Sequence, residues 1–523
     1  MNPQAARYQT TYAEPAPPPA AGSLLDAVLA ATAEVALDRR AAPAGATGRL
    51  EQFLREPDVG ESVRLWLGEV PQRWKGELRR KLVQAINRDV ARLDELLSAQ
   101  LNAILHHPEF QKLEAAWRGL WFLVDGVPEG ANVKVRVLNA TWRELVKDQE
   151  RALEFDQSQL FRKVYNEEFG MPGGEPYGLL VGNYELCHRP YPDHPTDDVT
   201  ALRGIAGVAA AGFAPFVAGI DPRFLELDSF TELEQPIDIT RTFDQLDFTK
   251  WRQFREAEDA RFTALALPRV LYRRPYGDAP GHTHRFDFRE DTTSPDRRGY
   301  LWGSPVFALA AVAVRAFAES GWLADIRGAR PENTTGGRVL GLPRLGYGTG
   351  VAETPRSIVD AHLTDVREKE LSDLGFVSLC HTPGAAEAAF YTTPTVQKPK
   401  TFDAPVANAN ARLSSMLHYM LCVSRFAHYL KVMMRDRMGT FTTPADIEDA
   451  LNKWLIQYVV SNESASEETK ARYPLREARA QVREIEGKPG AYLCSVFLRP
   501  HFQLDQLSAG IRLTTQLTAP TGG

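Results

Sequence analysis

The sequence predicts a mixed α/β (α+β) fold, with long helices near the N-terminus and in the C-terminal region and a pair of strands at the end. Three observations carry this. Leu78, Leu82, Ile86, Val90, Leu93, Leu97, Leu101 and Ile104 recur at steps of four and three, the apolar stripe of one long helix. In the middle, apolar runs alternate with small-residue helical runs, a strand–helix–strand rhythm. Near the end, Leu507, Ala509, Ile511, Leu513 and Leu517 alternate with Ser508, Gly510, Arg512, Thr514 and Gln516, the period of a half-buried strand.

The elements follow in order. Residues 1–22 are rich in Ala and Pro and favour extended polyproline backbone. Residues 24–37 are patterned for a short amphipathic helix, and 41–48 are loose and low in apolar content. After the Leu78 stripe, Pro108 suits the first position of a second helix, carrying Phe110, Leu113, Trp117, Leu120 and Val124. Residues 132–139 (NVKVRVLN) set Val133, Val135 and Val137 on one face of an expected strand. Thr141 with Glu144 makes a capping box for the next helix. A strand is expected over 177–186, a small-residue helix over 198–213 begun by Asp197 and Asp198, and a strand over 216–220. Ser304 and Pro305 open a buried helix ending near Gly321. One long helix is expected over 405–438, then another begun by Thr443 and Pro444 with Ile447, Leu451, Trp454 and Tyr458 inward. Residues 492–498 and 507–517 read as the closing strands. Eleven residues at about 3.3 Å each would reach roughly 36 Å, with main-chain groups open along one edge. Such an edge is normally blunted; one left open suits a strand supplied by another chain.

Length and composition bound the function. At roughly 150 residues per domain, 523 residues suggest three or four. The expected parts are a flexible leader over 1–70, N-terminal helices over 71–130, a central α/β domain over 131–400, and helices with closing strands over 401–523. Lys+Arg 61 against Asp+Glu 67 leaves a net charge of −6, which argues against nucleic acid as a partner. The four cysteines, Cys187, Cys380, Cys422 and Cys494, lie too far apart for a CxxC motif and fit a reducing compartment. The most apolar run, 306–317, contains Arg315 and falls short of a membrane span, so no membrane insertion is expected. Asp26 and Glu34 interrupt the one N-terminal apolar run, so no secretory signal is read, and a cytoplasmic protein is expected.

Catalytic chemistry is not legible. The glycines at 346, 348 and 350 lack the Lys-Ser/Thr of a phosphate loop and the spacing of a dinucleotide fingerprint. His282, His284 and Asp287 have no second ligand cluster at metal spacing. His106 and His107 straddle a helix junction before Pro108 and Glu109. No catalytic, metal or cofactor-binding residue is assigned, no cofactor is expected, and the chain does not read as an enzyme.

Several collinear stretches nevertheless share one resemblance. They are 107–120 (HPEFQKLEAAWRGL), 267–271 (LPRVL) with 274–277 (RPYG), 300–303 (YLWG), Gly321-Trp322 with 326–328 (IRG), 374–376 (LGF), 396–400 (VQKPK) and 499–502 (RPHF). Together, over roughly 75–517, the chain resembles the large subunit of the type VI secretion contractile sheath (TssC/VipB-like). Ser304-Pro305 and the Gly346 run depart from the pattern, as does the Pro-rich leader.

That resemblance implies a contractile-sheath fold and a structural role. The large subunit pairs with a small sheath subunit, and further copies stack as a helical sheath around an Hcp-type inner tube on a baseplate. Contraction drives the tube outward, and an AAA+ ATPase recycles the contracted sheath. It implies that the C-terminal strands interlace neighbouring protomers, which would involve Leu493, Val496, Leu498, Leu507, Ala509, Ile511 and Leu513. It also implies that the N-terminal helices dock the small subunit, through Leu78, Leu82, Ile86, Leu93, Leu97 and Leu101. Arg512 is read as a solvated charge or an interface contact. Two alternatives stay open: a phage-tail-like sheath subunit outside secretion, and a cytosolic α/β enzyme without a recognisable motif.

Overall fold

The structure is a computed structural model describing residues 46–67, 78–171, 173–277, 286, 288–293, 297–329, 336–347, 354–382, 387–437, 443–462, 465–485, 492–501 and 511–517. The chain divides into two compact units, Met1–Leu113 with Pro275–Gly299 and Glu114–Arg274 with Tyr300–Gly523.

In the first unit, the described part of the expected leader holds two short helices, α1 (Ala46–Arg55) and α2 (Val59–Leu67), with Phe53 edge-on to Trp66 at 6.1 Å. The rest of the leader lies outside the described residues. The stripe forms the predicted long helix, α3 (Leu78–Leu105). Its C-terminal end is fastened to 275–299: Asn102 Oδ1 accepts from the Asp291 N–H at 3.0 Å, and His106 meets buried Glu290 at 3.4 Å. The histidine pair therefore belongs to a helix junction.

The second unit is built on a six-stranded sheet. Its strands are β1 (Leu180–Leu186), β2 (Phe216–Ile220), β3 (Thr263–Leu267), β4 (Arg338–Val339), β5 (Phe376–His381) and β6 (Ala388–Phe390). Their spatial order is β1-β2-β3-β5-β6-β4, with the first four parallel and the last two antiparallel. Parallel strands are covered on both faces, and every residue of β2, β3 and β5 is buried. Neighbouring residues serve opposite faces. Phe216, Ala218, Leu265 and Phe376 join one core, whereas Val217, Ala264, Ala266 and Val377 join another. The first core is closed by α6 (Asp198–Gly212), the second by α7 (Val306–Ser320), which stops at Gly321 with φ +80°. Helix α4 (Pro108–Asp125), from Glu114 onward, lies on α7. There a Cβ on Gly119 would come within 2.3 Å of the Phe307 ring, so only glycine permits the approach. Helix α5 (Trp142–Arg151) begins with the predicted capping box of Thr141 and Glu144.

A C-terminal lobe has its own core. The expected helix over 405–438 is two helices, α8 (Pro405–Ser414) and α9 (Leu417–Arg437). The break has a cause: Thr395 N and Oγ1 both donate to the Ser415 carbonyl at 2.8 Å, and Leu417 N donates to the Thr393 carbonyl at 2.8 Å. An extended segment thus takes the main-chain groups that a continuous helix would have used. Helix α10 (Pro444–Ile456) starts at its Thr443 cap, and Ile447, Leu451 and Leu455 are buried. These side chains pack on a three-stranded antiparallel sheet of β7 (Leu475–Glu484), β8 (Tyr492–Pro500) and β9 (Ile511–Leu517), in that order. Strand β7 was not expected from sequence.

Residues 132–139 are not a strand. They pair with no other strand among the described residues, and a ladder needs a partner as well as β-prone side chains.

Candidate interaction surfaces

Trp142, at the start of α5, donates from Nε1 to Asp198 Oδ1 at 2.6 Å. The same carboxylate accepts from Thr196 Oγ1 at 2.6 Å and the Cys187 N–H at 2.8 Å, and meets His194 Nε2 at 2.6 Å. Sequence reasoning took Asp197 and Asp198 together as caps. Asp197 caps α6, accepting from Thr200 N, whereas Asp198 is a buried hub, 1% exposed. Cys187, His194 and Asp198 present ligand atoms within 4.8 Å of one another, a spacing a metal could use. A carboxylate offers about four lone-pair sites, however, and these four partners fill them. Burial holds the Cys187 thiol neutral as well, where a metal wants a thiolate. The cluster is a structural knot.

The other cysteines are equally quiet. Burial pushes the Cys380 thiol up to about 12 and the Cys494 thiol up to about 11, and all four cysteines are free and buried. His282, His284, Asp287 and residues 348–350 lie outside the described residues.

Uncovered apolar surface is the more informative feature. On α3, Leu93 is 57% exposed and Leu97 51%, while Leu82, Ile86 and Leu101 are half-buried; nothing is described of the Leu78 side chain. On α4 the faces are sorted. Ala115, Gly119 and Leu123 are buried, while Trp117, Trp121 and Val124 stand exposed on the other side, the two tryptophans by about two thirds. Sequence reasoning assigned Trp117-Arg118-Gly119-Leu120 to packing with an anchoring ion pair. The anchor exists: Arg118 and Arg273 both donate to Glu114, at 2.7 and 2.9 Å. Trp117 itself does not pack. Its partner Trp121, at i+4, was missed, although that spacing was visible in the sequence.

The terminal sheet is asymmetric at its two edges. The outer edge of β7 is covered. Asn452 of α10 accepts from Ala480 N at 2.8 Å and donates to its carbonyl at 3.0 Å, and Glu448 accepts from Val482 N at 3.0 Å. Lower down, the Leu475 carbonyl accepts from Val460 N, and Leu475 N donates to the Tyr458 carbonyl. Strand β8 is central, so Leu493, Val496 and Leu498 lie on a strand laddered on both sides within the chain. Val496 and Leu498 are buried and Leu493 half-buried. Ile511 lies opposite Leu498, Leu513 opposite Val496 and Arg512 opposite Phe497. Leu507 and Ala509 lie outside the described residues.

The ladder also fixes which amides of β9 point outward. Both main-chain groups of Ala480 turn to Asn452, so the Ala480–Val496 pair exchanges no hydrogen bonds. Antiparallel pairs alternate, so Val496 bonds Leu513 on its other side. The amides of Ile511, Leu513 and Thr515 then face β8, and those of Arg512, Thr514 and Gln516 face outward. Among the described residues nothing meets that outer edge.

Comparison with known proteins gives consistent matches. Residues 87–397 match the family model for the EvpB/VC_A0108 tail sheath N-terminal domain, and 406–517 match that for the tail sheath gpW/gp25-like domain. The chain is 40% identical over 442 residues to the type VI secretion system sheath protein TssC1 of Pseudomonas aeruginosa, covering 83% of this chain and 86% of that protein. Among solved structures it resembles the anti-feeding prophage baseplate, with TM-score 0.34 and 10% identity over 72% of this chain and 82% of that one. It also resembles the contracted helical sheath of that particle, with TM-score 0.29 and 13% identity over 61% and 66% of the two chains.

Proposed function

This chain belongs to the EvpB/VC_A0108 tail sheath family, and from that premise we propose that it is the large structural subunit of a contractile type VI secretion sheath. It polymerises; it does not catalyse. The observation that carries the reading in this molecule is the uneven terminal sheet, with its β7 edge closed by Asn452 and Glu448 and its β9 edge unladdered among the described residues. An edge left open at the end of a chain is where a further strand adds. Pairing between neighbouring protomers runs along the outward amides of β9, with Arg512 at that strand's start.

The companion polypeptide, a small sheath subunit, docks on the apolar faces of the N-terminal helices around Leu82, Ile86, Leu93, Leu97 and Leu101. The exposed Trp117 and Trp121 supply the residue type that dominates interface energetics. The assembled sheath surrounds an Hcp-type tube, rests on a baseplate and is recycled by an AAA+ ATPase, all in the cytoplasm. Co-expression of the chain with its small subunit tests the reading by sedimentation and electron microscopy. Hollow tubes are the expected product, and a discrete small oligomer from the same mixture overturns it.

A further inference from the structure

Residues 132–139 combine two features that do not belong together in a finished fold. Their sequence is that of a strand, with Val133, Val135 and Val137 alternating with Lys134, Arg136 and Leu138. Yet their main chain is almost unbonded. Among the described residues the only main-chain hydrogen bonds here are local, Val133 N to the Ala131 carbonyl and Ala140 N to the Leu138 carbonyl.

The segment is also uncovered on both faces. Its polar face is held to the body of the protein, Lys134 pairing with Glu175, and Arg136 with Glu168 and Glu175 while lying over the Tyr177 ring. Its apolar residues face water: Val135 is 39% exposed, Val137 69% and Leu138 51%. The charged side chains are no better covered, Lys134 at 63% and Arg136 at 44% exposed, whereas a half-buried strand covers one face. At its end, the Ala140 carbonyl accepts from Tyr184 Oη of β1 at 2.7 Å, and Trp142 packs on the same tyrosine ring. Strand β1 is itself the outermost strand of the six-stranded sheet. The end of the segment is therefore tied, through a side chain, to a strand that is at the sheet edge among the described residues.

We infer that residues 132–139 are half of a sheet completed by an extended strand of the companion sheath polypeptide, laid along their main chain with apolar side chains over Val135 and Val137. This rests on the sheath reading above. A second copy of this chain fits poorly. The two antiparallel registers that overlap two copies best while keeping valines together set Lys134 opposite Arg136, or Arg136 opposite itself, and like charges directly opposite are destabilising. A different polypeptide has no such conflict, and strand addition supplies both the missing main-chain bonds and the missing apolar cover.

Hydrogen exchange on the chain co-purified with the small sheath subunit tests this. Amides within 134–139 should exchange about a hundredfold or more slowly than unstructured amides in the complex, and at near-unprotected rates in the chain purified alone. Protection already present without the companion assigns the partner strand to this chain or its copy and overturns the inference. A stable complex whose 134–139 amides stay unprotected also overturns it, while leaving the sheath reading standing. Failure to form any complex overturns the reading itself. V135P and L138P remove amides from opposite edges of the segment, so at least one should abolish co-purification while both keep the melting temperature of the wild type. V135I, which keeps both the amide and an apolar side chain, should bind as the wild type does. Normal binding by both proline variants counts against the inference.

Discussion

At the scale of single residues, burial decides what each polar group can do. His428 lies in the core, donates from Nε2 to the Gly212 carbonyl at 2.9 Å, and is pushed down to about 4 by burial from an ordinary 6.5. The folded state binds fewer protons than the unfolded one between those values, so stability falls as pH drops from about 6.5 to about 4. That displacement corresponds to roughly 3 kcal/mol. Thermal unfolding of H428Q against pH should show an acid limb flattened by about that amount, because glutamine keeps the donor and has nothing to titrate. An acid limb as steep as the wild type would refute the assignment. Reading such residues from sequence has a clear boundary. Asp197 and Thr443 were legible as caps because their partners lie three residues on. The hub at Asp198 was not, since Trp142 reaches it from 56 residues away.

Elements with one dominant period were the readable ones. Helix α3 showed its stripe, and β2 its apolar run, whereas β3 and β5 were not read as strands. Strand β7 did not: LREARAQVRE is made largely of good helix formers, and only pairing with β8 and the contacts from α10 hold it extended. The break between α8 and α9 was hidden for a related reason, since its cause is a segment at 393–395. Residues 132–139 failed in the opposite sense, showing strand sequence without a strand partner in the chain. The stripe on α3 makes its own prediction. Leu93 and Leu97 are more than half exposed, so L93E with L97E should shift unfolding free energy by no more than about 1 kcal/mol. The same pair should abolish co-purification of the small subunit, because two charges would enter an apolar contact. Undiminished binding would remove α3 from the docking surface.

For the whole molecule, the apolar side chains buried on both faces of the central sheet and in the C-terminal lobe form the cores. Among the described residues, what stays uncovered lies at surfaces: apolar helix faces, the segment 132–139 and one edge of the terminal sheet. In the proposed sheath, rigid bodies would turn while main-chain ladders between neighbours persist. Each such junction would be small yet repeated at every protomer, so its loss should act on the polymer far more than on the monomer. The sequence period marked the closing strand, but not which edge of its sheet is open among the described residues, since that depends on Asn452 and Glu448 closing the β7 edge.

Proline at position 514 puts the question most directly. The Thr514 amide faces away from β8, and an edge strand tolerates proline where the missing donor points outward. In co-expression with the small subunit, T514P should fold with the wild-type melting temperature and still bind its companion. It should form no tubes visible by electron microscopy. Tubes in wild-type number and length from that variant would contradict the sheath built on the β9 edge.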